Sequence, residues 1–167
     1  MGTKPQRIAI VGRAGAGKTT IAVELGRRLN LPVIHLDPLF WTAQWKEVGR
    51  LEFENRQQKA VSGDRWIIDG GYLSSAGWPA RLIRSDLVIV VDAPLAICLW
   101  RVICRSLLRS GPRPDRPDGA RERLSPYFLW WIATWSLRHP NLAATIRERY
   151  AGRVVVVRRS EDLEGLI

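Results

Sequence analysis

The stretch "RIAIVGRAGAGKTT" (residues 7–20) decides the fold. Its first five residues form an apolar run of strand length, which favours a strand buried on both faces. Three glycines, a lysine and two threonines follow at once. Beyond them, Ile21, Leu25 and Leu29 recur every four residues and predict a helix over residues 18–29. The sequence therefore predicts a strand, a glycine-rich turn and a helix in direct succession.

The glycine-rich turn matches the spacing G-x-x-x-x-G-K-[ST] with Gly12, Gly17, Lys18 and Thr19. Glycines let the backbone turn tightly and aim successive N–H groups at an anion, and the helix that follows adds its positive end. In such a loop Lys18 can reach the β- and γ-phosphates of a nucleotide, and the Thr19 hydroxyl can ligate Mg²⁺. We therefore predict a phosphate-binding loop (P-loop). P-loops serve kinases, motors, GTPases and regulators, so the function must come from the rest of the chain.

Further apolar runs of strand length alternate with helical patterns along the chain. The runs are "PVIHL" (32–36), "RWIID" (65–69), "DLVIVVD" (86–92) and "RVVVV" (153–157), and the further helices are expected over 47–61, 95–108 and 125–138. This alternation predicts an α/β fold: a five-stranded parallel sheet with helices on both faces. With 167 residues, we expect one domain over 1–167. No apolar run approaches the roughly 18 residues of a membrane span, and no export signal is visible, so we expect a cytoplasmic protein without a membrane partner.

The chain is strongly basic, with a net charge of +10, and 22 of its 26 basic residues are arginine. The planar guanidinium fork of arginine suits phosphate, so the excess fits a polyphosphate ligand. It also fits nucleic acid, or a basic surface without a partner. Residues 109–123 combine five arginines with three prolines and two glycines and read as a lid-like loop.

Several motifs together resemble one known group. They are "GRAGAGKTT", "LPVIHLDPLFW", "DRWIIDGGY", "DLVIVVDAP", "LWRVICR" and "RVVVVRR". The chain resembles the small P-loop kinases of the adenylate kinase and shikimate kinase type, and most closely the bacterial FlaR-like proteins labelled "DNA topology modulation". The resemblance implies a three-layer P-loop NTPase fold with an arginine-rich lid at about 105–124, an acceptor-side segment at about 37–64, and ATP and Mg²⁺ as ligands.

The resemblance also implies roles for individual residues. Asp69 would hold the water shell of magnesium together with Thr19, and Asp37 would contact the phosphoryl acceptor. Arg101 would lie near the nucleotide base, Arg105 near the transferring phosphoryl group, and Arg159 near adenine. The expected catalytic residues are Lys18, Arg105 and Asp37. The expected nucleotide-binding residues are Gly12, Ala14, Gly15, Ala16, Gly17, Lys18, Thr19, Thr20, Arg101, Arg105 and Arg159.

The residues alone leave other roles open. His35 and Asp37 are two apart on an expected strand, so their side chains should lean the same way; for His35 we expect a packed or hydrogen-bonded histidine. Phe40, Trp41 and Trp45 either wall an acceptor pocket or cover the core. By the resemblance to adenylate kinase-like enzymes, an arginine that binds the acceptor phosphate should directly follow the "DG" pair; here Gly71 and Tyr72 follow instead, which leaves Arg81 as a candidate substitute.

Three tryptophans, Trp130, Trp131 and Trp135, lie in the expected helix over 125–138. Packing against the core or a dimer partner is the favoured role, and stacking of nucleic-acid bases is the alternative. Two functions follow. The favoured one is an ATP-dependent phosphotransferase with an unidentified small-molecule or nucleotide acceptor; the alternative is a nucleotide-gated regulatory protein that binds nucleic acid. Arginines spaced by four on one helix, at 101, 105 and 109, favour the enzyme, because binding to DNA does not require that spacing beside a P-loop.

Overall fold

The computed structural model describes residues 4–108, 113–117, 120, 124–158 and 160–163. Five strands form one parallel sheet in the order β2-β3-β1-β4-β5. The strands are β1 (Arg7–Gly12), β2 (Val33–His35), β3 (Trp66–Asp69), β4 (Leu87–Val91) and β5 (Arg153–Val157). All five lie within the predicted runs or within one residue of them, so the predicted five-stranded parallel sheet is confirmed.

Eight α-helices and one 3₁₀ helix belong to the described part of the chain. They are α1 (Lys18–Leu29), α2 (Asp37–Phe40), α3 (Arg50–Val61), α4 (Gly77–Arg84), α5 (Leu95–Leu108), α6 (Pro126–Ala133), α7 (Trp135–Arg138), α8 (Leu142–Arg149) and a 3₁₀ helix over Ser160–Leu163. The helices α1 and α5 have the predicted bounds. The helix expected over 47–61 begins only at Arg50, and the one expected over 125–138 is divided at Thr134. The Thr134 hydroxyl donates to the Trp130 carbonyl at 2.9 Å, a back-bond that bends helices.

The core lies on both faces of the sheet because successive side chains of a strand point to opposite sides. Ile8 and Ile10 of β1 are fully buried on one face, against residues of α1, α5 and α6. Ala9 and Val11 are fully buried on the other face, against residues of α3, α4 and α8. Helices therefore cover both sides of the sheet, and the three-layer α/β arrangement is confirmed.

One local prediction about this sheet is wrong. His35 and Asp37 do not share a strand, since β2 ends at His35 and Asp37 begins α2. Pro38 explains the change: it has no N–H for a strand ladder and its fixed φ suits the first turn of a helix. The carboxylate of Asp37 thus takes its direction from α2.

The strand order positions the site. β1 and β3 are neighbours, and Ile10 lies opposite Asp69 in the register. Because parallel strands end at the same edge, the turn after β1 and the carboxylate at the end of β3 meet there. Within the described ranges, we find no helix both long and apolar enough to cross a membrane.

Candidate active site

At two positions in the turn that follows β1, Gly12 and Gly15, only glycine accommodates the backbone conformation. Gly12 has φ +146°, and a Cβ there would lie 2.4 Å from the Val91 carbonyl oxygen. Gly15 has φ +79°, and its Cβ would lie 2.4 Å from the carbonyl oxygen of Cys98 in α5. Gly17 caps α1 without a side-chain hydrogen bond. The first N–H groups of α1, which have no partner within the helix, therefore point to the space where a phosphate would bind.

The remaining loop residues close this turn. The Lys18 ammonium donates to the Arg13 carbonyl oxygen at 3.1 Å, across the loop. Ala16 is buried and its N–H also donates to that carbonyl, at 3.2 Å, while Ala14 packs against the core. Thr20 is exposed on the first turn of α1. The structure thus brings together the loop residues predicted to bind nucleotide.

The Thr19 hydroxyl lies between two carboxylates. Its Oγ1 atom is 2.8 Å from Asp69 Oδ2 and 3.0 Å from Asp115 Oδ2. Asp69 is only 4% exposed, and its Oδ1 atom is buried without a hydrogen-bond partner. The two residues predicted to hold magnesium are therefore in direct contact, and one oxygen of Asp69 is left for a further ligand.

His35 also contacts this carboxylate. Its Nδ1 atom is 3.0 Å from Asp69 Oδ2, and both side chains are almost fully buried. This agrees with the expectation of a hydrogen-bonded histidine. The contact orients the Asp69 carboxylate toward Thr19.

Asp37 is half-buried at the start of α2, and the Tyr72 hydroxyl donates to its Oδ1 atom at 2.7 Å. Burial raises the pKa of Asp37, while the Tyr72 hydrogen bond and the charge of Lys18 act in the opposite direction. Burial and the neighbouring Asp37 charge raise the pKa of Tyr72, so Tyr72 stays a donor. A carboxylate with a raised pKa is a better proton acceptor than an exposed one.

The aromatic residues after Asp37 divide between the two roles left open by the sequence. Phe40 packs against Phe53 and Tyr72, with ring centroids 4.8 and 4.9 Å apart. Trp41 packs edge-on against Phe40 at 4.7 Å and also lines a surface pocket. Trp45 lies 6.0 Å from Trp41. Phe40 therefore covers the core, and Trp41 forms a pocket wall.

This pocket, of about 410 Å³, separates the acceptor-side segment from residues 113–117, which we call the arginine–proline segment. Pro38, Trp41 and Ala43 line one side. Arg113, Pro114, Arg116 and Pro117 line the other. Since Asp37 immediately precedes Pro38, the pocket begins beside the candidate acceptor-binding carboxylate.

The helix α5 lies beside the P-loop at Arg101. Arg101 donates to the Ala16 carbonyl oxygen at 3.1 Å. Arg105 lies one turn further along α5 and is half-buried. Arg159 and Arg109 lie outside the described residues, as do other parts of the expected lid over 105–124.

Arg81 does not have the geometry of a ligand-binding arginine. It is 1% exposed, its guanidinium donates to the Gly70 and Gly71 carbonyl oxygens at 3.1 and 2.6 Å, and it lies 4.7 Å over the Trp78 ring. Burial lowers the pKa of Arg81 to about 9, although the nearby Asp69 charge raises it. Arg81 braces the loop after β3 from behind, which does not fit binding of an acceptor phosphate.

The tryptophan-rich segment packs on the molecule, as favoured by the sequence. Trp135 is 7% exposed and meets Trp131 edge-on at 5.5 Å, while the Arg138 guanidinium covers the Trp131 ring at 4.6 Å. Trp130 is exposed. The next residue after Trp135, Ser136, accepts a hydrogen bond from the Arg13 guanidinium of the P-loop.

Sequence reasoning missed the contributions of Arg13, Tyr72 and Asp115. Arg13 occupies a position that the loop motif leaves unspecified, and Asp115 is one of three acidic residues in the expected lid. Arg13 and Tyr72 both lie within quoted motifs, "GRAGAGKTT" and "DRWIIDGGY", but at positions to which the motifs assign no role. Their contacts join residues far apart in the sequence, which local patterns do not encode.

Among the residues that the structure describes, no group of three or more His, Cys, Asp or Glu side chains is arranged to hold a metal ion. The pair formed by Thr19 and Asp69 fits magnesium instead. This ion uses one or two protein carboxylates, keeps several waters and takes its other ligands from substrate phosphates.

Comparison with known proteins supports a P-loop small-kinase relationship. No protein-family model matches the chain. A cytidylate kinase from Pyrobaculum islandicum is 32% identical over 95 residues, which cover 56% of this chain and 51% of that protein. The chain thus spans about half the length of the curated relative that it matches.

Two solved shikimate kinases share the fold. The enzyme from Acinetobacter baumannii, in complex with shikimate, has a TM-score of 0.58 at 19% identity and covers 98% of this chain and 90% of its own. The enzyme from Bacteroides thetaiotaomicron has a TM-score of 0.57 at 17% identity, over 93% and 88% of the two chains. The chain therefore has the P-loop α/β fold of these shikimate kinases.

Proposed function

We propose that this protein is an ATP- and Mg²⁺-dependent phosphotransferase that moves the γ-phosphoryl group of ATP to a small-molecule or nucleotide acceptor. One observation carries the proposal. The Thr19 hydroxyl of the P-loop contacts Asp69 at 2.8 Å, and the second oxygen of Asp69 is buried without a partner. A loop that only bound an anion would not need a buried carboxylate beside it.

The P-loop supplies the nucleotide site. The N–H groups at the start of α1 bind phosphate oxygens, and Lys18 leaves the Arg13 carbonyl to reach the β- and γ-phosphates. Arg101, against the loop at Ala16, lies near the base, and Arg105 follows on the same helix. A positive group near the transferring phosphoryl stabilises the charge that spreads over its oxygens.

Thr19 and Asp69 would hold the magnesium ion. When bound, the ion would neutralise the negative charge of the phosphates. His35 fixes the carboxylate of Asp69 through the contact of 3.0 Å. This pairing keeps Asp69 in place for the ion.

Asp37 is the proposed contact for the acceptor. It immediately precedes Pro38, which lines the pocket of about 410 Å³, and its raised pKa suits acceptance of a hydroxyl proton. Tyr72 holds one oxygen of Asp37, so the other oxygen can face the acceptor. Arg113 and Arg116 line the far side of the pocket and favour an acceptor that carries negative charge.

The comparisons support the kinase class, since both the relative and the structural neighbours are kinases. We also propose that the protein belongs to the FlaR-like group, on the motifs "HLDPLFW" and "WIIDGGY". We propose one domain, with a lid over 105–124 and an acceptor-side segment over 37–64, and a cytoplasmic location. The nucleic-acid alternative has less support. Stacking of bases needs open ring faces, whereas Trp131 and Trp135 pack together under Arg138.

The test is a panel of candidate acceptors incubated with labelled ATP, with wild-type protein and the variants Lys18→Ala and Asp37→Asn. Lys18→Ala should reduce transfer at least a hundredfold, in line with the loss of one preorganised positive donor. Asp37→Asn should reduce transfer but keep binding of ATP, measured by calorimetry. The matched control is Lys59→Ala, since Lys59 is exposed on α3.

Undiminished transfer in Lys18→Ala, or the lack of any heat on titration of wild-type protein with ATP, contradicts the proposal. Binding to mixed-sequence DNA is measured over a range of salt concentrations in parallel. Tight binding with a steep salt dependence at near-physiological salt would support the regulatory alternative.

A further inference from the structure

We propose that Asp115, in the arginine–proline segment, is a second acidic group of the magnesium site and links this segment to the metal. The inference rests on the proposed function, because it concerns the ion that accompanies ATP. It adds a residue outside the P-loop and the strand ends, from the segment on the far side of the pocket.

Thr19 has too few protons for both of its carboxylate neighbours. Its hydroxyl lies within hydrogen-bond distance of Asp69 Oδ2 and of Asp115 Oδ2, at 2.8 and 3.0 Å. A hydroxyl has one proton and can donate to only one of them. The other carboxylate oxygen then faces a lone pair. Two carboxylates held this way around one hydroxyl oxygen are the surroundings that a small cation favours.

Each of the two carboxylates also has a second oxygen. Asp69 Oδ1 and Asp115 Oδ1 are both buried without a hydrogen-bond partner. Asp69 is 4% exposed, and the Asp115 side chain is 12% exposed. Buried carboxylate oxygens without partners are costly, so two of them, on the carboxylates that contact one hydroxyl, point to a missing ligand. A hydrated cation satisfies both, either directly or through its waters.

The site also concentrates negative charge. The Asp37 carboxylate interacts electrostatically with the carboxylates of Asp69 and Asp115 and with the Lys18 ammonium. Arg113 pairs with Asp115 and offsets part of its charge. In the complex with ATP, Lys18 is engaged by phosphate, so a divalent cation is then needed to balance these carboxylates. A negative side chain beside a triphosphate is unfavourable unless such a cation lies between them.

The consequence is that the metal connects three parts of the chain: the P-loop through Thr19, the sheet edge through Asp69, and the arginine–proline segment through Asp115. Arg113 and Arg116 of this segment line the pocket. The ion therefore fixes the far wall of the pocket as well as the phosphates.

The experiment measures the affinity of a non-hydrolysable ATP analogue by calorimetry, with MgCl₂ and with EDTA. The measured quantity is the ratio of the two dissociation constants. Asp115→Asn, which keeps the size of the side chain, should reduce the gain from magnesium about tenfold, as expected for loss of a group that supports a metal. In EDTA its affinity should equal or exceed that of wild type, because a negative charge is removed.

Asp64→Asn is the matched control. Asp64 lies before β3, at the opposite edge of the sheet, and its side chain is 96% exposed. The ratio of its dissociation constants with MgCl₂ and with EDTA should equal that of wild type. Circular dichroism establishes that each variant is folded.

A second measurement uses wild-type protein alone. Hydrogen exchange at the amides of Asp115 and Arg116 should slow more with the analogue and magnesium than with the analogue and EDTA. Any of three results overturns the inference. The ratio of the two dissociation constants is unchanged in Asp115→Asn, the affinity changes equally in both buffers, or hydrogen exchange does not depend on magnesium. If wild-type protein binds no analogue in either buffer, the proposed function itself fails, and the inference with it.

Discussion

The two sides of the candidate site are built in different ways. The phosphate side is local: eight consecutive residues, 12–19, form a turn whose shape depends on main-chain geometry and on glycines. The acceptor side is assembled from distant residues. Asp37 meets Tyr72 across 35 positions, and Asp115 reaches Thr19 across 96. A short motif therefore specifies the first side, and only the completed fold specifies the second.

The largest expected effect tests the main-chain character of the phosphate side. Gly12→Ala places a Cβ 2.4 Å from the Val91 carbonyl oxygen at a φ of +146°. We expect the free energy of unfolding to fall by about 3 kcal/mol or more, from backbone strain and overpacking. Urea unfolding measures it.

Gly63→Ala is the control for that change, since nothing lies within 4 Å of its Cβ position. Its stability should stay within about 0.5 kcal/mol of wild type. If the two variants are equally stable, the tight turn after β1 is not the rigid element described above.

The next effect concerns the brace behind the acceptor side. Arg81→Met removes the donors to the Gly70 and Gly71 carbonyl oxygens. We expect a loss of about 2 kcal/mol, since buried acceptors are left without partners. Arg50→Met, at an arginine whose side chain is 88% exposed, should change stability by less than about 0.5 kcal/mol. If Arg81→Met is as stable as wild type and has a raised KM for an anionic acceptor, then Arg81 binds the acceptor and does not brace the loop.

A change of the opposite sign is expected at Asp37. Because burial raises its pKa, folding favours the protonated form, and the ionised carboxylate lowers stability as the pH rises through the folded pKa. Asp37→Asn should therefore stabilise the fold at pH 7 by about 0.5–2 kcal/mol, a range typical of relieved functional sites. Below the ordinary pKa of aspartate, both proteins are neutral at this position and the gain should disappear. Unfolding measured from pH 3 to 8 tests this; a gain that is independent of pH would contradict it.

The smallest expected effect is at the tie between the phosphate side and α7. Ser136→Ala removes the acceptor for the Arg13 guanidinium, and we expect a loss of about 1 kcal/mol. Ser62→Ala, on the exposed end of α3, is the comparison and should have a smaller effect. If Ser136→Ala and Ser62→Ala are equally stable, the hydrogen bond from Arg13 does not hold α7 against the P-loop.

The same contrast explains what could be predicted from the sequence. Continuous apolar runs and four-residue spacing gave the five strands and the bounds of α1 and α5, because burial on both faces determines those patterns. The short helices α2, α4 and α8 were missed because their one or two turns have little periodicity and depend on tertiary contacts. The strand ending at His35 was misjudged because Pro38 turns the chain into α2.

Within the site, the resemblance brought Thr19 and Asp69 together, and the register agrees because Thr19 comes after β1 and Asp69 ends the neighbouring β3. Tyr72, Arg13 and Asp115 could not, because each acts through a partner that is remote in the chain. The burial of Arg81 is likewise a property of the packed loop after β3. Arginine is usually exposed, and no local pattern marks the exception.

The contact between Gly15 and the main chain of α5 has a mechanical consequence. No side chain separates the loop from the Cys98 carbonyl, so there is no rotamer that can absorb a small displacement at this junction. Packed interfaces respond to such displacements as rigid bodies. A triphosphate bound in the loop would thus act on the position of α5 along its axis, and α5 leads toward the arginine–proline segment.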